Sequence, residues 1–373
     1  MIRVNSALLS HRKVSPDHET VRFQPAPEGD VVIKFPAPLR PGDRIGVTSP
    51  SSGVDERFRP RLEFVLADLA KRGYEVTVGE CMDGSGIVSA PAERRAAELT
   101  AMLIDPGIGA VVPPWGGELA VDLVERLDYA KIAESDPAWL VGYSDISTLL
   151  LAVTTRTGVA TLHGQNLMHT PTRRPDGILH YLDALSAEPG AVLEQRASTH
   201  HKAPGFYDII GQPDLVDPNL DRPGSWRLLD PGAGPVRATG RLIGGCVETI
   251  ACLAGTPYGD VRRFAEEHAP EGLIVYVEVC EHAAPDAARE LYSLRLAGWF
   301  DHANAILVGR TDAPAAGSFT QDDAVRFAFG ELDIPVILDV DCGHVAPELA
   351  LVNGALAEVV VDGSDQRIVQ TLS

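Results

Sequence analysis

Short apolar runs alternate with amphipathic stretches along most of this chain, beginning at about residue 35. The runs are typical of buried strands, and apolar positions that recur every three or four residues are typical of helices. In the first half the pattern predicts strands at Arg44–Ser49, Tyr74–Val78, Ile108–Pro113 and Trp139–Gly142, and helices at Phe58–Arg72, Ala92–Ile104, Leu119–Leu127 and Asp145–Thr155. Strands that alternate with helices of this length indicate βαβ units around a parallel sheet.

The alternation weakens between residues 169 and 237, where Pro, Gly and Asp are frequent, and it then returns. Because a structureless linker of that length is rare in a compact protein, we expect an insertion, a lid or a crossover there. The second half has predicted strands at Arg237–Ile243, Leu273–Val279, Ala305–Val308, Pro335–Val340, Ala350–Val352 and Ala357–Val361, and predicted helices at Cys246–Ala254, Pro285–Leu296 and Asp322–Glu331.

Together these elements predict an α/β protein with two domains. We expect a surface extension at residues 1–34, an N-terminal parallel-sheet domain at 35–168, the insertion at 169–237 and a smaller C-terminal α/β domain at 238–373. In such sheets, ligands bind at the carboxyl ends of the strands or in the cleft between domains.

Composition narrows the classes of function. The 373 residues include 32 basic and 52 acidic side chains, a formal net charge of −20, which argues against binding of nucleic-acid polymers. The apolar runs are far shorter than the roughly 20 residues of a membrane-spanning helix, and the charged N-terminus is unlike a signal peptide. We therefore expect a cytoplasmic protein without membrane contact. Its five cysteines include no C-x-x-C pair, which predicts reduced thiols rather than a disulfide framework.

The most informative segment is the end of the strand Trp139–Gly142, which continues through Ser144 and Asp145 directly into a helix. A tight turn of this kind exposes the serine hydroxyl and places the Asp145 backbone N–H where it can stabilise an oxyanion. The G-x-S-x-G pattern is incomplete, because Ile146 occupies its last position. The alternative is that Ser144 only caps the helix.

A serine nucleophile needs a base that is itself oriented by a carboxylate. Two other predicted strand ends offer these groups, since His344 follows Pro335–Val340 and Glu278 ends Gly272–Glu278. Each residue alone fits a structural role, but three strand ends together supply Ser, His and Glu.

A glycine pair, Gly116 and Gly117, lies between another predicted strand and helix. Adjacent glycines let backbone N–H groups approach a ligand closely. The loop is therefore either an ordinary turn or the second half of an oxyanion hole, and its neighbours Trp115 and Glu118 are candidates for substrate binding.

Other chemistry has weaker support. The glycines at 84–86 and 232–234 lack the G-x-G-x-x-G spacing of a dinucleotide site. Cys342 with His344, and Glu281 with His282, lack the spacing of a metal site, so we expect neither a metal ion nor another cofactor. Cys342 is a weaker candidate nucleophile than Ser144.

Four segments, in this order, resemble motifs of the LD-carboxypeptidase family of serine peptidases. They are the opening strand at Pro41–Val47 with Ser49–Ser52, the nucleophile motif Gly142–Asp145, the connecting segment Gly240–Gly245 and the histidine motif Gly343–Gly354. The resemblance extends over residues 35–373.

This resemblance implies a catalytic triad in which Ser144 is the nucleophile, His344 the general base and acid, and Glu278 the carboxylate that orients the imidazole. The oxyanion donors would be the backbone N–H groups of Asp145 and of Gly117 or its neighbour. The resemblance also implies an N-terminal domain similar to class I glutamine amidotransferases, a site at the domain junction, a homodimer and no cofactor.

Two departures from the cell-wall carboxypeptidases matter. Gly116–Leu119 replaces their G-G-Y-G segment, and Val279 replaces an Asp after the catalytic Glu. The first change and the 169–237 insertion are similar to the microcin C immunity (MccF-like) branch, whose enzymes cleave an aminoacyl group from a phosphoramidate or sulfamate of adenosine. Trp226 in the insertion would then stack on adenine, or else pack as a local anchor.

We therefore expect a serine amide hydrolase acting on a small peptide or an aminoacyl-nucleotide conjugate. A cytoplasmic murein-tetrapeptide LD-carboxypeptidase is the alternative enzyme. A binding protein that kept the fold without catalysis is the third possibility.

Overall fold

The computed structural model describes residues 33–373, so the extension predicted at 1–34 lies outside the described residues except for its last two. The helices are α1 Arg59–Lys71, α2 Ala92–Ile104, α3 Tyr129–Glu134, α4 Ile146–Thr157, α5 Tyr181–Leu185, α6 Val247–Ile250, α7 Val261–His268, α8 Ala284–Leu296 and α9 Gln321–Phe329. The strands are β1 Arg44–Val47, β2 Glu75–Val78, β3 Ala110–Val111, β4 Trp139–Gly142, β5 Thr161–His163, β6 Val192–Arg196, β7 His200–Lys202, β8 Leu220–Pro223, β9 Arg227–Leu228, β10 Val236–Cys246, β11 Leu273–Glu278, β12 Ala303–Gly309, β13 Val336–Val340, β14 Leu351–Asn353, β15 Leu356–Asp362 and β16 Asp365–Thr371. None of the helices within 33–373 combines the length and apolar character needed to cross a membrane.

The first sheet contains six strands in the order β14-β5-β4-β3-β1-β2. Its pairs are parallel except for β14, which runs antiparallel to β5. The parallel sheet predicted for the first half is therefore confirmed. Because parallel strands share one carboxyl edge, the loops after β1, β3, β4 and β5 meet there.

The second sheet contains eight strands in the order β6-β16-β15-β10-β11-β12-β13-β9. Its centre, β10 to β13, is parallel, whereas the outer strands pair antiparallel. Glu278 ends β11, and the loop after β13 carries His344. The sheets are also linked along the chain, since β14 follows β13 in sequence but pairs with β5 of the first sheet.

The structure corrects several predicted elements. The helix predicted at Leu119–Leu127 is only a short 3-10 turn, Ala120–Leu123, and the backbone N–H of its first residue, Ala120, donates to the side chain of Asp145. The predicted strands did not include β5 or β16. Within the 169–237 insertion, β6 and β9 join the second sheet, while β7 and β8 form a separate antiparallel pair.

A buried carboxylate, Asp341, fixes the loop that follows β13. It accepts hydrogen bonds from Arg310 at 2.7 Å, from the indole Nε1 of Trp226 at 2.9 Å and from the Ser198 backbone N–H at 2.9 Å. Removing one partner of a buried ion pair leaves the other charge without compensation. These contacts therefore anchor the loop that presents His344.

We predict that Asp341→Ala lowers the free energy of unfolding by about 3–5 kcal/mol, because it strands the Arg310 charge and the Trp226 N–H. Denaturant unfolding measures the loss. Asp365→Ala is the matched control, since Asp365 also pairs with an arginine, Arg367, but at the surface, and its effect should be much smaller. Equal losses in the two variants would contradict the prediction.

Candidate active site

Ser144 occupies a strained turn between β4 and α4. Its φ angle is +63°, a conformation that costs free energy for a residue other than glycine and that recurs at functional sites. The turn is held by Asn166, whose Oδ1 accepts a hydrogen bond from the Tyr143 backbone N–H at 3.2 Å. The N-cap residue of α4 is Asp145 and not Ser144, and it makes no side-chain capping bond, so a capping role does not explain this geometry.

The glycine loop approaches Ser144 so closely that Gly116 has no room for a side chain. A Cβ there would lie 2.8 Å from the Ser144 Cβ and 2.9 Å from both the Ser144 Oγ and the Asp145 backbone nitrogen.

Burial raises the pKa of the Asp145 carboxyl, although hydrogen bonds from Ser51 and Ala120 lower it in part. Those bonds, 2.5 and 2.8 Å long, fasten the loops after β1 and β3 to the start of α4.

Gly117, the next residue of the same loop, also has no room for a side chain. Its φ angle is +144°, and a Cβ would lie 2.4 Å from the hydroxyl oxygens of both Ser51 and Ser52. The Ser52 backbone N–H also donates to the Gly116 carbonyl at 3.2 Å. The loop after β1 therefore packs against the glycine pair.

His344 and Glu278 form a buried pair. The His344 Nδ1 lies 2.9 Å from the Glu278 Oε2, and the Glu278 side chain has no solvent exposure. Gly343 makes the approach possible, because its φ angle is +99° and a Cβ would lie 2.4 Å from the Glu278 Oε2. Gly309 on the intervening β12 is equally constrained, since a Cβ there would lie 2.7 Å from the Glu278 Cβ.

The pair shifts the pKa of both partners toward the charged forms. Burial lowers the pKa of His344, but the Glu278 carboxylate and the nearby Cys280 outweigh burial and raise it well above its usual value. Burial raises the pKa of Glu278, but His344 lowers it overall. The stabilisation is therefore present between the two folded-state pKa values. It is lost as the pH rises through that of His344 or falls through that of Glu278.

Ser144 and His344 open onto one cavity of about 510 Å³. The loops after β1, β3, β4, β5 and β13 form one part of its wall, and residues 202–210 of the insertion form another. The lining residues are Ser52, Phe58, Trp115, Gly116, Gly117, Tyr143, Ser144, Asn166, His169, Lys202, Gly205, Phe206, Tyr207, Asp208, Ile209, Ile210, His344 and Glu348.

The cavity wall combines aromatic surface with a few charged groups. Trp115 donates its indole N–H to the Gly53 carbonyl at 3.0 Å and packs edge-on against Phe58. Phe206, by contrast, is 89% exposed. Among the charged groups, the Glu348 carboxylate is buried and pairs with Arg174 at 2.8 Å.

The structure brings most of the predicted site residues together. The cavity is lined by Ser144, His344, Gly116, Gly117 and Trp115. Asp145 follows Ser144 directly in the chain, and Glu278 is hydrogen-bonded to His344. No hydrogen bond joins the Ser144 Oγ to His344 within residues 33–373.

Two predicted substrate contacts are placed elsewhere. Trp226 is only 2% exposed and donates to Asp341, so its ring is part of the core and not of the cavity wall. Glu118 is an exposed residue and does not line the cavity. The part of its carboxyl that is shielded from water, and after that Glu281 and other nearby carboxylates, raise the pKa of Glu118.

Residues 202–210, which line the cavity, are called the lid below. The sequence interpretation did not single out the lid residues Lys202, Phe206 and Tyr207, or the buried Glu348. The signal available for this segment was the group of aromatic and aliphatic residues at 206, 207, 209 and 210, around Asp208, within a polar insertion. Nothing local marked Glu348, because its partners Arg174 and Gln165 are distant in sequence.

We predict that Glu278→Gln lowers the pKa of His344, since the largest influence that opposes burial is then removed and Cys280 alone of the two still raises the pKa. A titration of the histidine ring resonances by NMR measures the shift. Glu290→Gln is the matched control, because Glu290 pairs with His282 at 2.8 Å and should change the titration of His282 only. An unchanged pKa of His344 in Glu278→Gln would show that the pair is not electrostatically coupled.

Comparison with known proteins identifies the family of this chain. Models of the LD-carboxypeptidase N-terminal and C-terminal domains match residues 45–164 and 239–359. Microcin C7 self-immunity protein MccF from Escherichia coli is 25% identical over 90% of this chain and 95% of its own length. The murein tetrapeptide carboxypeptidase of Pseudomonas aeruginosa is 26% identical over 87% of this chain and 94% of its own.

The fold also matches a solved structure of MccF in complex with aspartyl sulfamoyl adenosine. The TM-score is 0.75 at 23% identity, and the match covers 90% of this chain and 98% of that one. The fold of this chain is therefore shared with that structure. The chain belongs to the LD-carboxypeptidase family.

Proposed function

We propose that this protein is a serine-type amide hydrolase that works through an acyl-enzyme. The observation that carries the proposal is the strained Ser144 turn, which opens onto the same cavity as a histidine paired with a buried glutamate. A nucleophile, a base and a carboxylate that orients the base are the parts that acyl transfer needs.

In the proposed reaction the Ser144 Oγ attacks the substrate carbonyl while the unprotonated His344 Nε2 accepts the hydroxyl proton. Glu278 holds the opposite ring nitrogen and stabilises the imidazolium that forms. The negative charge that develops on the carbonyl oxygen would be met by backbone N–H groups at Asp145 and in the glycine loop. His344 then protonates the leaving amine, and water hydrolyses the ester in the reverse sequence of proton transfers.

We propose an aminoacyl-nucleotide conjugate as the substrate class. Two observations support it: MccF has been solved with aspartyl sulfamoyl adenosine, and the lid of this chain presents a bare aromatic face, Phe206, to the cavity. Stacking of a nucleobase on an aromatic ring contributes about 1–3 kcal/mol. Phe206 is thus a better placed stacking partner than the buried Trp226.

A murein tetrapeptide is the second candidate substrate, because the Pseudomonas relative named for that activity is as similar to this chain as MccF is. A tetrapeptide has no nucleobase. The two substrates therefore make different demands on the lid.

We predict that Ser144→Ala lowers turnover of the true substrate by at least about 10⁴-fold, as expected when an acyl-transfer nucleophile is removed. The protein is incubated separately with an aminoacyl-sulfamoyl adenosine and a murein tetrapeptide, and the products are identified by mass spectrometry. Ser52→Ala is the control, since Ser52 lines the same cavity but donates its hydroxyl to the Ile87 carbonyl, and it should still react. Turnover of neither substrate, with Ser144→Ala equal to the parent protein, would favour a binding protein.

We predict that Phe206→Ala raises KM for the adenosine conjugate by a factor that corresponds to about 1–3 kcal/mol and leaves kcat nearly unchanged. Steady-state kinetics on the conjugate separates the two constants. Phe327→Ala tests specificity, because Phe327 is also an exposed phenylalanine but lies on α9, outside the cavity lining. If both variants have the parental KM, the base does not stack on the lid.

A further inference from the structure

A cluster of metal-ligand atoms lies behind the cavity, at the orienting end of the His344 and Glu278 pair. Cys246, Glu278 and His344 each offer one ligand atom, and these three atoms all lie within 4.8 Å of one another. The register of β10 against β11 sets part of this arrangement, since Cys246 and Glu278 are directly paired. A thiol therefore faces the pair from the neighbouring strand.

The cluster also contains an unsatisfied buried acceptor. Glu278 has no solvent exposure, its Oε2 is bonded to His344, and its Oε1 has no hydrogen-bond partner. A buried carboxylate oxygen without a donor is costly. A cation that bound there would satisfy the oxygen and neutralise the buried charge.

The donor set matches a soft divalent cation. A thiolate, an imidazole nitrogen and a carboxylate oxygen are the ligands of Zn²⁺, which catalytic and regulatory sites bind with three protein groups and one open position. Ligand atoms around a tetrahedral zinc ion are about 3.3–3.6 Å apart, as follows from bonds of about 2.0–2.3 Å. Atoms that are at most 4.8 Å apart would close by up to about 1.5 Å to reach that spacing.

We propose that Cys246, Glu278 and His344 form an inhibitory site for Zn²⁺ or a cation of similar softness. The cation forms bonds to the Cys246 sulfur, one Glu278 oxygen and one His344 ring nitrogen, and the protons of the thiol and of the imidazolium pass to solvent. The imidazole then has no free basic nitrogen for the Ser144 hydroxyl. Metal occupancy and catalysis are mutually exclusive, because the metal uses the same two side chains as the proposed triad.

The thiol is buried but the site has an entry route. Burial, together with the carboxylates of Glu278 and Glu248, raises the pKa of the Cys246 thiol well above its usual value, so the cation must displace a tightly held proton and binding should release acid. His344 lines the cavity, so a cation reaches the cluster by displacement of one side chain.

Direct binding is tested on the full-length protein with Cd²⁺ as a spectroscopic probe and Zn²⁺ in calorimetry. We expect the parent protein to bind one cation per chain and to show an ultraviolet cadmium-thiolate absorption band. In Cys246→Ser we expect the band to be absent and the Kd of the cation to increase at least about tenfold. Cys252→Ser is the matched control, since Cys252 is an exposed thiol outside the cluster, and it should bind as the parent protein does. Parental binding by Cys246→Ser, or lost binding by Cys252→Ser, would overturn the proposal.

A measurement on the unsubstituted protein covers the case in which Cys246→Ser does not fold. Addition of Zn²⁺ should shift the NMR ring resonances of His344 and leave those of His282 unchanged, although His282 also pairs with a glutamate. Unshifted His344 resonances at saturating Zn²⁺ would refute the site.

The effect on turnover rests on the proposed function, whereas binding does not. Zn²⁺ should reduce turnover at least about tenfold and a chelator should restore it. If the protein binds Zn²⁺ as described but hydrolyses neither substrate, the function has failed and the site stands. If it hydrolyses a substrate with no cadmium-thiolate band, the site has failed and the function stands.

Discussion

A carboxylate with no access to water must be paired, and Glu278 is paired with His344 from the loop after β13. The two residues come from strands that are separated by β12, so the chain must bring the loop after β13 across that strand. Gly309 and Gly343 leave room for this crossing. Asp341, itself buried and held by three donors, fixes the start of the same loop. The histidine is therefore positioned by a buried charge network rather than by packing alone.

The first sheet positions Ser144 in a different way, through close backbone contacts rather than through a buried charge network. Ser144 is held in a conformation with positive φ, and the glycine loop lies so near that no side chain fits at Gly116. Contact between the halves is equally tight, because a Cβ at Gly245 on β10 would lie 2.7 Å from the Ser147 Cβ on α4. Such contacts leave little freedom for the nucleophile to move relative to the histidine.

The insertion supplies residues 202–210 of the cavity wall. Its strands β6 and β9 are built into the second sheet, whereas residues 202–210 reach over the cavity and expose Phe206. Family membership explains the shared fold, whereas under the proposed function the lid is the part of the cavity that would distinguish a nucleotide conjugate from a peptide. In contrast, Trp226 from the same insertion serves the core, because its N–H has a buried carboxylate to bond.

The sequence by itself determined the alternation of strands and helices, the parallel first sheet and the three strand ends that carry Ser144, Glu278 and His344, because hydrophobic period and turn residues are local properties of the chain. It could not determine β5, whose three residues form a strand only between β4 and β14. Nor could it separate Trp226 from Phe206, since a tryptophan in a polar insertion can be a ligand contact or an anchor until its hydrogen-bond partner is known. Only the tertiary structure decided which side chains face the cavity, because that depends on contacts between residues about a hundred positions apart in the sequence.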